Sequence, residues 1–127
     1  MSRLLLVCVG GAAGSGLRYA TALWAASAFG LAFPYGTLIV NVAGSFAVGF
    51  LMHVAGFTGL LSPDVRVMLT SGLFGGFTTY STFNYETTAY LRQGAWGMGL
   101  LNVAVTLLGC LAAGVAGFIL ARLIFGR

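Results

Sequence analysis

The chain has 127 residues, of which 59% are hydrophobic and only 6% are charged. A soluble domain carries about 25% charged residues to face water, so this composition excludes a soluble enzyme, a nucleic-acid-binding module and a disordered tail. The net charge of +4 comes from six arginines against two acidic residues. Lipid is therefore the solvent for most of the chain, and the scattered arginines are interpreted as helix-end anchors and topology signals.

Apolar runs, taken in chain order, predict four membrane-spanning helices in a single transmembrane domain over residues 1–127. A helix needs about 20 apolar residues to cross the bilayer. The predicted spans are residues 4–29, 35–57, 65–91 and 95–125. Backbone amides in hydrocarbon must be satisfied internally, and the runs lack the alternation of a β-barrel. The sequence therefore predicts an all-α integral membrane protein.

The first span contains a deep arginine and a pair of small residues. Arg18 lies about 21 Å along the helix from the start of the span. It is either a snorkelling side chain or part of a water-filled vestibule that attracts anions, and the absence of acidic residues in the first two spans favours the vestibule. Gly10 and Gly14, like Ala113 and Gly117 in the fourth span, have a spacing that predicts close helix packing and an oligomer.

Two further spans carry polar stripes at helical spacing. The stripes are Thr37, Asn41 and Ser45 in the second span and Asn102, Thr106 and Cys110 in the fourth. Residues four apart lie on one helix face. The amide of Asn41 has two donor hydrogens and an acceptor to satisfy. It makes either an interhelical hydrogen bond or a contact with a permeating anion.

The middle of the third span is rich in glycine and hydroxyl residues. The adjacent Gly75 and Gly76, followed by several threonines and serine, are unfavourable for a continuous helix. We expect a break there, whose free carbonyls can bind a cation such as sodium. A kinked packing helix is the alternative.

Aromatic residues recur every third position through the same segment, at Phe77, Tyr80 and Phe83. They form either a packed stripe or a set of ring edges, whose positive potential can hold a small anion weakly beside hydroxyls. Glu86 follows them, and it either faces water at the interface or guards a pore mouth. His53 is expected at the interface, without a role. No metal-site cluster or nucleophile–base pair stands out in the sequence, which predicts no enzyme activity.

Three segments resemble the motifs of the Fluc family of fluoride channels, also called CrcB proteins. They begin at Gly10, Gly36 and Gly72 and read GGxxGxxxRY, GTLxVNxxGSF and GxxGGFTTYSTF. The resemblance covers nearly the whole chain. It implies an antiparallel, dual-topology homodimer in the plasma or inner membrane, with two pores and a structural sodium ion at its centre. It also implies passive, selective export of fluoride from the cytoplasm.

The resemblance, together with the polar stripes, implies the following site residues. The fluoride pathway is expected to involve Asn41, Tyr80, Phe83, Ser81, Thr82, Thr79, Thr37 and Thr106. Arg18 and Glu86 are expected in the vestibules, and the backbone carbonyls of Gly75 and Thr78 are expected to bind sodium. The family usually has phenylalanine where this chain has Tyr80, so a hydroxyl is added at that ring.

Two other functions compete with the channel. A small multidrug-type, proton-coupled exporter has a similar length and four spans, but it needs a carboxylate deep in the first span, where this chain has Arg18. A non-transporting assembly subunit would use the glycine surfaces for packing and the polar stripes for interhelical hydrogen bonds.

Overall fold

Helices account for nearly all of the residues that the computed structural model describes, which are residues 2–126. The three long helices are α1 (Arg3–Phe29), α2 (Tyr35–Phe57) and α6 (Trp96–Phe125). Each of them is long and apolar enough to cross a membrane. The prediction of an all-helical membrane protein is confirmed for the described residues.

The segment between α2 and α6, where the third span was predicted, is divided into four helical pieces. In chain order these are α3 (Pro63–Val67), a π-helical segment (Met68–Phe74), α4 (Gly75–Phe77) and α5 (Tyr80–Arg92). α3 begins at a capped turn, since the hydroxyl of Ser62 accepts a hydrogen bond from the amide of Val65 at 3.3 Å. Pro63 occupies the first turn, where no intrahelical amide bond is lost.

The break in this segment lies at Thr78 and Thr79, which are both extended, with φ/ψ of −86°/158° and −151°/118°. The prediction of a broken helix is confirmed, and the break lies in the hydroxyl-rich part of the predicted segment. Gly75 and Gly76 remain helical within α4. The chain leaves the helix only at the threonines, whose side chains offer the backbone other hydrogen-bond partners.

The glycine pair of α1 packs against the broken segment of the same chain. A Cβ atom on Gly10 would lie 2.6 Å from the carbonyl oxygen of Met68, and one on Gly14 would collide with the carbonyl of Leu73. In α6, Gly117 packs in the same manner against the backbone of Phe46 in α2. These pairs therefore bring helices of one subunit together, and they do not by themselves indicate an oligomer.

His53, for which the sequence suggested an interfacial position, is buried near the end of α2. Its ring lies 4.8 Å from that of Phe57 and 5.2 Å from that of Phe118, measured between centroids. The Nε2 atom is 2.8 Å from the carbonyl oxygen of Gly126. His53 thus joins the end of α2 to the end of α6.

Candidate functional site

The amide of Asn41 binds the peptide groups of Thr79 at the helix break. The side-chain nitrogen donates to the Thr79 carbonyl at 2.9 Å, and the side-chain oxygen accepts from the Thr79 amide at 2.8 Å. An extended residue presents its N–H and C=O in the same direction, as in a hydrogen-bonded pair of a β-ladder. One primary amide can therefore bind both groups. This pair of hydrogen bonds, which we call the clamp, joins α2 to the break.

The hydroxyl of Thr79 organises the start of α5. It accepts from the amide of Thr82 at 3.2 Å, and it lies 3.0 Å from the Thr82 hydroxyl and 3.3 Å from that of Ser81. Because α5 begins at Tyr80, the positive end of its dipole lies at the break. Such half-helix ends are favourable positions for anions in membrane proteins.

An open cavity of about 410 Å³ lies beside the break, and we call it the aromatic cleft. Its lining includes Asn41, Ser45, Thr78, Thr79, Tyr80, Phe83, Thr106 and Cys110. Phe83 is only 7% exposed, whereas Tyr80 is 77% exposed. The two ring centroids are 5.6 Å apart, with an interplanar angle of 57°. The structure thus brings together five of the predicted pathway residues: Asn41, Thr79, Tyr80, Phe83 and Thr106.

Only some polar groups in the aromatic cleft have a hydrogen to offer an anion. The hydroxyl of Thr78 donates to the Phe74 carbonyl at 2.8 Å, which uses its single hydrogen. The second amide hydrogen of Asn41 and the hydroxyls of Ser45 and Tyr80 have no acceptor among residues 2–126. The cleft therefore offers uncharged donors next to a phenyl ring.

Ser45 and Cys110 were not among the predicted site residues, although both line the aromatic cleft. The signal that could have found them was the helical stripe, since they follow Asn41 and Thr106 by four residues. Asn102 belongs to the same stripe of α6, but the structure does not place it in the cleft. That side chain is 1% exposed and does not line the cleft.

Asn102 instead belongs to a buried chain of hydrogen bonds between α5 and α6. Its nitrogen donates to the hydroxyl of Thr87 at 3.0 Å, and that hydroxyl donates to the carbonyl of Phe83 at 2.8 Å. Its oxygen lies 3.5 Å from the hydroxyl of Thr106. These hydrogen bonds connect the backbone carbonyl of Phe83 with the polar stripe of α6.

A second cavity, of about 320 Å³, contains the deep arginine, and we call it the arginine cleft. Arg18, Thr37, Thr79 and Thr82 all contribute to its lining. Arg18 makes no ion pair or hydrogen bond with any residue in the described range. Thr79 lines both this cavity and the aromatic cleft. The peptide groups of Thr79 that Asn41 binds therefore lie between the two cavities.

A third cavity, of about 500 Å³, lies near the loop between α1 and α2 and contains Glu86. The hydroxyl of Thr37 donates to Oε1 of Glu86 at 2.7 Å, and Oε2 has no partner within the described residues. The phenol of Tyr90 donates to the carbonyl of Ala32 at 2.7 Å, which holds the loop against α5. Thr37 also lines the arginine cleft, so it connects the two cavities.

The break leaves backbone carbonyls that suit a hard cation. In a continuous helix the amide of Thr79 would donate to the carbonyl of Gly75, but here it donates to Asn41. The amide of Thr82 would likewise donate to the carbonyl of Thr78, but it donates to the Thr79 hydroxyl. The donor set thus fits sodium, which unwound carbonyls bind in membrane proteins. Gly75 is exposed and Thr78 half-buried, so this surface is accessible from outside the chain.

Comparison with known proteins gives a consistent result. Residues 5–118 match the family described as CrcB-like protein, Camphor Resistance (CrcB). A protein named fluoride-specific ion channel FluC from Anaeromyxobacter dehalogenans is 51% identical over 126 residues, which cover 99% of this chain and all of the relative. Proteins of the same name from Sorangium cellulosum and Chloroflexus aurantiacus are 49% and 42% identical over 122 residues, covering at least 96% of either chain in each case.

Proposed function

Because the chain belongs to the CrcB-like family, we propose that it is a fluoride-selective passive channel that exports fluoride from the cytoplasm and so limits its toxicity. The chain is not an enzyme, and its relatives are named ion channels. The observation that carries the proposal is the aromatic cleft, where the Phe83 ring lies among uncharged hydrogen-bond donors. The cleft can hold an anion without any formal positive charge.

The pathway uses charge outside the cleft and neutral groups within it. Arg18 has no counter-ion among the described residues and attracts the anion into the arginine cleft. The free donors of Asn41, Ser45 and Tyr80, together with the positive edge of the Phe83 ring, then replace part of its hydration shell. Binding by neutral groups is weak enough to let the ion leave, as conduction requires. Thr37 and Glu86 line the third cavity, near the loop between α1 and α2.

The exposed side of α5 supports a homodimer. Ser81, Thr82, Asn84, Tyr85 and Thr88 are all exposed in the single chain. Polar side chains at membrane depth face protein or a water-filled cavity, since lipid offers them no hydrogen bonds. A second copy, antiparallel to the first, covers this face and gives two pores, with Tyr80 enclosed at the interface.

A structural sodium ion at the dimer centre is the third part of the proposal. The carbonyls of Gly75 and Thr78 from both subunits hold it, because their helical donors are engaged elsewhere. When bound, the ion balances the partial negative charge where α4 ends, close to the positive start of α5. It orders the interface and carries no current.

Fluoride efflux from liposomes tests the proposed function. The purified chain is reconstituted in vesicles loaded with potassium fluoride, and an external electrode follows fluoride after a potassium ionophore is added. We expect rapid release, with none from protein-free vesicles. Fluoride that stays trapped would overturn the proposal, and proton-driven uptake of a cationic dye by the same vesicles would favour the multidrug-type exporter.

A further inference from the structure

Asn41 is more than a donor in the aromatic cleft. We propose that it is a positioning residue for the cation site, because its amide holds the helix break open and so keeps the carbonyl of Gly75 free. This inference rests on the proposed function, since it concerns the sodium site assigned above. It adds a coupling between the anion pathway and the cation site through a single side chain.

The first observation is the direction of the Thr79 amide. Thr79 lies four residues after Gly75, so in an unbroken helix its N–H would donate to the Gly75 carbonyl. It donates to the Asn41 oxygen at 2.8 Å instead. The amide hydrogen that would occupy the Gly75 carbonyl in an unbroken helix is therefore bound by Asn41 of α2. The carbonyl oxygen stays available to a cation.

The second observation is the shape that the clamp imposes. Thr79 must be extended to present both its N–H and its C=O to one amide, and its φ/ψ of −151°/118° satisfies this requirement. No proline lies at the break to enforce the conformation, and the neighbouring Gly75 and Gly76 lie within α4. The break therefore depends on side-chain hydrogen bonds, of which the Asn41 pair is buried.

The third observation is how closely α2 approaches the break. A Cβ atom on Gly44 would collide with the methyl group of Thr78. Gly44 lies three residues after Asn41, on the same side of α2. The glycine admits Thr78 while Asn41 binds Thr79, so one face of α2 contacts both extended residues.

The clamp predicts different results for two substitutions at one position. Asn41→Ala removes the acceptor, so the Thr79 amide is free to donate to the Gly75 carbonyl and compete with the cation. In its protonated form, Asn41→Asp keeps both bonds to Thr79, because the carbonyl oxygen of the acid accepts from the Thr79 amide and its hydroxyl donates to the Thr79 carbonyl. Both substitutions remove the amide hydrogen offered to fluoride, so fluoride flux falls in both. Only Asn41→Ala weakens the sodium site.

The test measures the melting temperature of the detergent-purified full chain in sodium chloride and in N-methyl-D-glucamine chloride. We expect sodium to raise the melting temperature of the unsubstituted chain and of Asn41→Asp. In Asn41→Ala this difference is lost. Asn102→Ala is the matched control, because it removes a buried amide that bonds α5 to α6 away from the break. It lowers the melting temperature but keeps the sodium-dependent difference.

The outcomes separate this inference from the channel itself. A sodium-dependent difference that survives in Asn41→Ala overturns the inference and leaves the sodium site standing. Loss of the difference in Asn102→Ala as well overturns it too, since any buried amide would then have the same effect. An unsubstituted chain that is indifferent to sodium overturns both the inference and the sodium site, while fluoride efflux decides the channel separately.

Discussion

Two aromatic residues of the same cleft are held in different ways. Phe83 is 7% exposed within a single chain, and the hydrogen-bond chain through Thr87 and Asn102 fixes the backbone beneath it. Tyr80 is 77% exposed, and its hydroxyl has no partner among residues 2–126. The subunit alone positions Phe83, whereas the position of the Tyr80 ring depends on what covers it.

Phe83→Ile is expected to reduce fluoride flux by about tenfold or more, as the loss of an interaction worth about 1.4 kcal/mol at the highest barrier would do. Isoleucine fills much of the same space but has no positive ring edge. Flux from liposomes, normalised to the amount of folded protein, checks this expectation. Phe57→Ile is the control, because it makes the same exchange at an exposed ring outside the aromatic cleft, and we expect its flux to stay within about threefold of the original. Unchanged flux in Phe83→Ile would remove the ring from the pathway.

At the scale of the elements, α1 packs closely against the broken segment. Gly14 of α1 faces the backbone at Leu73 and Phe77, on the π-helical segment and α4. α2 contacts the break on the other side through Asn41 and Gly44. The broken segment is thus held between two long helices, and the geometry of its carbonyls depends on both contacts.

Gly14→Ala is expected to destabilise the chain by about 1–3 kcal/mol, since overpacking of a close contact has a cost of this size. Gly16→Ala is the matched control in the same helix, because no atom lies within 4 Å of a Cβ built there. It should be neutral or slightly stabilising, because alanine favours helix more than glycine does. Melting temperatures in detergent measure both effects. Equal melting temperatures for the two variants would mean that α1 does not pack through Gly14.

At the scale of the whole molecule, apolar and polar exposed surfaces can be distinguished. α6 exposes large apolar side chains, including those of Leu108, Leu111 and Leu123. α5 exposes hydroxyls, amides and tyrosines instead. Formal charges are few at both ends of the helices. At one end, Arg3 and Asp64 form an ion pair in which Nε and Oδ1 are 2.8 Å apart. The few charges therefore set only a weak preference for one orientation in the membrane.

Dual topology can be tested by labelling single cysteines from one side of the membrane. Gln93→Cys and Leu60→Cys place exposed thiols at opposite ends of the helices, in a background in which Cys8 and Cys110 are replaced by alanine. In intact cells, an impermeant maleimide should label roughly half of the copies of each variant, since both orientations are populated. Permeabilised cells give the total. Labelling of one variant alone would indicate a single orientation and contradict the antiparallel dimer.

The sequence by itself determined the solvent class of this chain, its helical content and its family. Hydropathy and charge content depend only on which residues are present, so they can be obtained from the sequence without knowledge of the fold. The glycine and threonine composition also predicted that the third span is broken. Motif positions indicated Asn41, Phe83 and Arg18 as site residues, and the structure places each beside a cavity.

Only the tertiary structure decided which partner each polar group takes. The break falls at Thr79 and not at the glycines, because a side chain of α2 is close enough to bind both peptide groups of that residue. Asn102 and Asn41 are both asparagines in polar stripes and both bond to another segment, yet only Asn41 also lines a cleft. The physical reason is that hydrogen bonds depend on distances of about 3 Å between distant parts of the chain. Such distances exist only after the helices have packed.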